Sequence, residues 1–161
     1  MLHRLQLSSR RVSLDELIVR RADREDNKAI HTLIHSVHIN PLNLDWRRFI
    51  VAVAPQGDFL GCGQMKKHGD GSLELASIAV KEKSRSRGVA RAMILELLLE
   101  EEKRPVYLMC RAQLSLFYKK FRFHPIELEE MPKYFHRIYR AEQIINTRAR
   151  SENRMMIMRL D

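Results

Sequence analysis

The passage from Leu73 to Leu99, LELASIAVKEKSRSRGVARAMILELLL, constrains the fold more than any other part of the chain. Leu73–Val80 carries the short apolar pattern of a strand. From about Gly88 to Glu102 strong helix formers follow, with Ala92, Leu95, Leu98 and Leu99 predicted to share one face. Between them lies a loop in which Lys81, Lys83, Arg85, Arg87 and Arg91 stand against Glu82, a net +4. A strand running through a short loop into a helix commits the chain to a sheet with a helix on its face. The first turn of such a helix presents N–H groups without helical partners and the positive end of its dipole. Gly88 lacks a Cβ, so an anion can approach the backbone, and Ala90 keeps the next position small. This is the physical design of a pyrophosphate site. The other reading is a solvated basic loop ahead of an amphipathic helix. The GxxxxGK[ST] and GxGxxG spacings are both absent, which excludes a P-loop and a dinucleotide fingerprint.

The elements around this passage are read from periodicity. Leu17–Ala22 is a predicted strand. Asp23 or Asp26 is the candidate cap of a helix over Arg24–Val37, with Ile30, Leu33, Ile34 and Val37 at helical spacing. Phe49–Ala54, Phe59–Lys67 and Leu73–Val80 read as a three-strand meander. Its turns are Pro55–Asp58 and His68-Gly69-Asp70-Gly71. After the helix come a strand at Pro105–Cys110, a short helix at Leu114–Phe121 and a strand at Phe123–Leu128 interrupted by Pro125. A helix at Pro132–Ile145 opens on a good first helical residue, and Arg154–Leu160 is a closing strand. Strands in a run, then alternating with helices, predict an α+β (mixed α/β) fold: a mixed sheet flanked by helices.

With 161 residues the chain is the size of one domain. Residues 1–14 read as a basic leader and 15–161 as the folded domain. The leader has no acidic residue and several Arg and Ser. It resembles a short organellar transit peptide, but it is short and weakly amphipathic, so a frayed leader on a cytoplasmic protein is the preferred reading. Cys62 and Cys110 are the only cysteines; they form no disulfide framework and no CxxC zinc pair, and suit a reducing compartment. No apolar run approaches the ~20 residues that span a bilayer. The formal charge of +9 calls for a polyanionic partner without choosing among nucleic acid, anionic membrane and phosphorylated ligand.

Two motifs carry a resemblance that makes the choice. Arg85-Ser86-Arg87-Gly88-Val89-Ala90 resembles the (Q/R)xxGx(G/A) signature of the GNAT superfamily of acyl-CoA-dependent N-acyltransferases. At the matching distance, Leu116–Phe123 (LFYKKFRF) resembles that family's FYxxxGF segment. The predicted element order agrees from about Leu17 to Leu160. The resemblance implies a sheet splayed between strands 73–80 and 105–110, with acetyl-CoA as co-substrate in the wedge. The pantetheine would pair with main chain at Ile78, Ala79 and Val80, and the pyrophosphate would sit on Arg85, Ser86, Arg87, Gly88, Val89 and Ala90, beside Arg91. No metal is implied.

The implied reaction is attack of a neutral amine on a thioester within a ternary complex, which wants a general base and a general acid. Tyr118 aligns with the family tyrosine that protonates the departing sulfur. A phenol with a pKa near 10 stays protonated at neutral pH; its other reading is a buried aromatic beside Phe117. Glu74 occupies the strand position that some protein-acetylating members use as base, and a partly desolvated carboxylate is suited to taking a proton; its other reading is an exposed strand residue. Ser77 is a core-edge hydroxyl. Two positions depart from the family pattern: Arg122 replaces the glycine of FYxxxGF, and Arg111 replaces an asparagine seven residues before the tyrosine. Both add positive charge near the expected mouth, either as phosphate or substrate contacts or by perturbing the loop.

Other candidates are weaker. His31 and His35 share a helix face at i,i+4 without a third ligand, so they read as a polar face. Trp46 is a core anchor or part of an acceptor site. Glu127, Glu129 and Glu130 are a solvated loop or a receiver for a cationic amine. The eight Met residues fit core filling. The implied acceptor is a primary amine, on a small molecule, a protein lysine or an N-terminus, and a homodimer is compatible with the family. Two rivals remain: an acyl-CoA-binding sensor with the same fold, and a basic nucleic-acid or ribosome-associated protein. Much of the +9 is then accounted for by the phosphates of CoA, leaving Arg4, Arg10, Arg11 and the stretch from Arg148 to Arg154 unassigned.

Overall fold

The computed structural model describes residues 17–39, 41, 44–145 and 153–161; the leader 1–14 and most of the Arg148–Arg154 stretch lie outside them. The elements run β1 (Ile18–Arg21), α1 (Asn27–Ser36), β2 (Phe49–Val53), β3 (Phe59–Lys67), β4 (Leu73–Val80), α2 (Val89–Glu100), β5 (Val106–Arg111), α3 (Ser115–Lys119), β6 (His124–Pro125), α4 (Lys133–Ile145) and β7 (Met155–Leu160). Short 3-10 turns at Trp46–Arg48, Glu82–Ser84, Ala112–Leu114 and Leu128–Glu130 join them. This is the predicted order. The seven strands form one sheet in the order β1-β2-β3-β4-β5-β7-β6, antiparallel except for β4 beside β5. The strand expected over Phe123–Leu128 is only two residues long, because Pro125 has no N–H to carry a ladder further.

The two faces of the sheet are distinct. Ile50, Leu73, Leu75, Val106, Leu108, Cys110 and Met158 meet α2 in one buried cluster. On the other face Phe49, Val51, Val53 and Cys62 pack with α1, and Tyr107 and Ile157 pack with Phe135 of α4. The alternation of strand side chains sorts these residues. Two glycines of β3 let β4 come close. A Cβ on Gly61 would stand 2.6 Å from the Ala79 carbonyl oxygen, and one on Gly63 would stand 2.5 Å from Ile78 Cδ1.

The face expected for α2 is corrected. Val89, Met93, Ile94 and Leu97 are buried, whereas Leu95 and Leu99 are 42% and 75% exposed. The helix has apolar residues around its whole circumference, so periodicity alone could not orient it. The cap of α1 is also corrected. Asp26 makes no side-chain cap; its carboxylate takes two hydrogen bonds from Arg20, at 2.7 and 3.2 Å. Asp23 instead accepts from the Glu25 and Asp26 N–H groups, closing the turn before the helix.

Strand β4 contains a bulge. Gln64 pairs with Ala76 and Cys62 with Ala79, so three steps on β4 oppose two on β3. Ser77 sits within the extra step at φ 56, a left-handed angle that is unusual for a side-chain-bearing residue and that one class of bulge takes. The face assignment switches there. Leu73 and Leu75 point to the α2 cluster before the bulge and Ile78 and Val80 after it, while Ala79 joins the α1 cluster.

Candidate active site

The parallel pairing of β4 and β5 covers only Leu73 opposite Val106 and Glu74 opposite Tyr107. From Leu75 to Val80 the same edge of β4 faces no strand. Its other edge is held by β3 through Ala79 and Val80. A parted pair of parallel strands leaves main-chain donors and acceptors open along β4, which is what an extended ligand needs in order to add as a strand. Ile78, Ala79 and Val80 lie on that open edge. The splay expected from the sequence is present.

At the carboxyl end of the wedge the chain turns through 81–88 into α2. Ser86 has φ 60, and Gly88, the N-cap of α2, has φ 77 with no side-chain cap. The first helical bond runs from Ala92 N–H to the Gly88 carbonyl, so the N–H groups of Val89, Ala90 and Arg91 point away from the helix with no carbonyl to meet. Left-handed residues in such a turn gather successive amides into an anion-binding concavity. Arg85 does not project freely: its Nε donates to the Val80 carbonyl at 3.3 Å. Lys81 lies over the Phe59 ring. Lys83, Arg87 and Arg91 have no anionic partner among the described residues. The loop therefore has an uncapped helix start and three uncommitted cations.

Tyr118 lies on α3 against the α2-side cluster. Its ring makes edge contacts with Phe117 and Phe123. Burial, and then the neighbouring Cys110, push its phenol well above the usual range, so it stays protonated at any physiological pH. The chain after α3 turns at Arg122, whose φ of 71 is the left-handed conformation that glycine adopts most easily. At the position of the motif's glycine, Arg122 thus holds a conformation that glycine would take without strain. Arg111 is committed elsewhere: it donates to the Asn153 carbonyl at 2.8 Å and lies 3.5 Å from Glu142 of α4.

Glu74 is on the other face of the sheet, one position from Leu73 and Leu75, which face α2. It is 5% exposed, not the exposed strand residue of the second reading. His68 Nε2 lies 2.7 Å from its Oε2. The His68 ring stacks on Tyr134 with centroids 3.4 Å apart and meets the edge of Phe135. No hydrogen bond joins Glu74 to Tyr118; they stand on opposite faces, beside the strands that part. His68 was legible in the sequence only as the first residue of a hairpin turn. That turn forms as expected, with the Gly71 N–H bonded to the His68 carbonyl.

The remaining candidates resolve simply. Trp46 packs on the α1-side cluster beneath the Arg47 guanidinium. Glu127 and Glu130 form a reciprocal capping box around a 3-10 turn. No group of metal-ligating side chains occurs among the described residues, and no described helix is long and apolar enough to cross a membrane. Cys62 and Cys110 are buried and free, with burial pushing their thiols up to about 12 and about 11. A cavity of about 830 Å³ lies at the opposite end of the sheet, walled by Arg48, Lys67, Lys103, Arg104 and Tyr107 among others; it contains neither Tyr118 nor the basic loop.

Comparison with known proteins bears on this geometry. A family model described as an acetyltransferase (GNAT) domain matches residues 45–125, which include β4, the basic loop, α2 and Tyr118. No curated protein matches the sequence. Among solved structures, N-acetylglutamate synthase from Neisseria gonorrhoeae, complexed with coenzyme A and N-acetyl-glutamate, superposes with a TM-score of 0.69 at 15% identity over 89% of this chain and 34% of that one. The chain thus spans about a third of that enzyme's length. Rv2747 from Mycobacterium tuberculosis, in complex with CoA and NLQ, gives 0.68 at 20% identity over 89% of this chain and 98% of its own. A GCN5-related N-acetyltransferase from Kribbella flavida gives 0.63 at 19% identity over 92% and 99%. At these identities the likeness is one of fold.

Proposed function

The chain belongs to the GNAT acetyltransferase family, and on that premise we propose that it moves an acetyl group from acetyl-CoA to a primary amine by direct attack in a ternary complex. The observation that carries this reading is the open edge of β4 from Leu75 to Val80, ending at an uncapped helix N-terminus flanked by free cations. One stretch of backbone thus offers strand-type pairing and then an anion cradle, in the order that a pantetheine arm and its pyrophosphate require. Acetyl-CoA supplies the thioester carbon that the amine attacks.

The chain's own residues then have distinct tasks. The main chain at Ile78, Ala79 and Val80 holds the arm. The amides from Gly88 to Arg91, with Arg85, Ser86 and Arg87 shaping the turn, hold the phosphates. Glu74 takes the proton of the attacking amine. The thiolate leaves as the C–N bond forms and the C–S bond breaks, and Tyr118 donates to the sulfur. Its raised pKa suits it to hold that proton ready and to regain it from water afterwards.

The test is release of free thiol from acetyl-CoA in the presence of a panel of primary amines: polyamines, amino acids and lysine peptides. Acceptor-dependent thiol is expected. Tight CoA binding with no thiol release from any amine would instead favour an acyl-CoA sensor.

A further inference from the structure

Every charged group around Glu74 bears on how its carboxylate is used. Lys66 stands directly opposite it on β3 yet forms no ion pair with it. Tyr107 is its neighbour on β5, with Arg159 opposite Tyr107 on β7. Asp70 lies in the β3–β4 turn, and Tyr134 reaches in from α4. Of these, none makes a hydrogen bond to the carboxylate. The group that does is His68, at Oε2, with side chains only 10% and 6% exposed for His68 and Glu74. Oε1 of Glu74 has no hydrogen-bond partner among the described residues.

His68 is itself held. Its ring is stacked nearly parallel on Tyr134, 15° between planes. The Tyr134 N–H is bonded at 2.8 Å to Asp70, two residues beyond His68. The turn that carries His68 and the helix that carries its stacking partner are therefore tied to each other. A charged carboxylate pinned through one oxygen by an oriented imidazole, with the other oxygen left over, is the arrangement of a base whose direction is fixed by a second group.

We propose that His68 is the positioning residue for Glu74: its Nε2–H fixes Oε2 so that Oε1 faces the amine. This deepens, and rests on, the reading of Glu74 as the base for acetyl transfer. The imidazole does not touch the acceptor; it removes the rotational freedom of the carboxylate and gives a nearly buried oxygen its hydrogen-bond partner.

The experiment compares wild type, His68→Ala, His68→Gln and Glu74→Gln by thiol release, with thermal unfolding of each. Glutamine keeps an N–H donor at nearly the Nε2 position. His68→Ala is expected to lower kcat about tenfold or more with the KM for acetyl-CoA within about twofold, and His68→Gln to recover most of the loss. A kcat for His68→Ala within about twofold of wild type, while Glu74→Gln is inactive, overturns the positioning role and leaves the base intact. Equal losses in the Ala and Gln variants at unchanged Tm also overturn it. A fully active Glu74→Gln removes the base reading, and absence of thiol release by wild type removes acetyl transfer itself; either result takes the role of His68 with it.

Discussion

Glu74 and Tyr107 are the last residues through which β4 and β5 face one another. One step further the strands have parted, so the apex of the wedge lies beside the one carboxylate that β4 buries. Pairing and parting are thus adjacent: the ladder fixes the carboxylate and its end creates the space that the carboxylate borders. A carboxylate anchored by a sheet is held more closely than one on a loop, which is the placement that the proposed role as base asks for.

Removal of the Tyr118 hydroxyl separates chemistry from binding. Tyr118→Phe keeps the ring contacts with Phe117 and Phe123. It is expected to lower kcat about a hundredfold with the KM for acetyl-CoA little changed. Because burial raises the phenol above its usual range, the protonated form persists as pH rises, so Tyr118 contributes no alkaline loss of rate below about pH 10. Steady-state kinetics from pH 6 to about pH 10 check both points; wild-type kcat in the Phe variant would exclude the acid role.

The arginines of the loop are expected to contribute unequally. Arg85 is bonded to the Val80 carbonyl, whereas Arg87 is uncommitted. Arg87→Ala should weaken CoA binding about tenfold at low salt, the value of one charge-assisted contact. Arg85→Ala should cost less, and the gap should narrow as ionic strength rises. Calorimetric titration with CoA and 3′-dephospho-CoA measures this. Indifference of both variants and of the 3′-phosphate would place the phosphates elsewhere.

The two strand glycines differ in what surrounds them. At Gly61 an added methyl meets a backbone oxygen, while at Gly63 it meets the tip of the flexible Ile78 side chain. Gly61→Ala is therefore expected to destabilise by about 1–3 kcal/mol, and Gly63→Ala by clearly less. Urea unfolding of the two variants ranks them, and the reverse order would contradict the packing of β3 on the bulge.

Asp70 acts as a cap supplied from a distant turn. Its carboxylate accepts the Ser72 hydroxyl at 2.6 Å, the Ser72 N–H at 3.0 Å and the Tyr134 N–H in the first turn of α4. The Ser72 hydroxyl chiefly, with the two N–H groups and His68, holds its pKa down at about 2 against an ordinary 3.8. A lowered carboxylate pKa gives stability that is full above the ordinary value and is lost as pH falls toward the folded one. Asp70→Asn should therefore flatten the fall in Tm between about pH 4 and pH 2, and Asp70→Ala should cost about 1 kcal/mol at neutral pH, as loss of a cap does. Thermal unfolding across that range checks both. An unchanged acid limb in the Asn variant would rule the link out.

What could be read from the sequence follows from what is local. The ends of β3 and β4 are set by turn residues and alternating side chains, and they fall where periodicity put them. The basic loop and Tyr118 belong to motifs of contiguous residues, so their places were visible as well. Long-range relations were not. The orientation of α2 depends on which of several apolar stripes the sheet accepts. The tie of Asp26 to Arg20 competes with capping only once β1 lies beside the helix. His68 reaches Glu74 because a hairpin brings positions six apart onto one face, and its stacking on Tyr134 joins residues far apart in the chain. Arg122 shows the converse: it departs from the motif's residue, yet its backbone is left-handed, the conformation that glycine adopts most easily.

The bulge at Ser77 makes the site a matter of residue number as well as residue kind. An even ladder of the same length, without the bulge, would turn Ile78 and Val80 to the opposite face. The loop and α2 that follow would then be carried half a pleat out of phase with their own core. Substitution along β4 can proceed gradually, but the extra residue and the bulge that absorbs it stand or fall together, so the chain is free to vary its chemistry at the wedge and bound in the backbone path by which it reaches it.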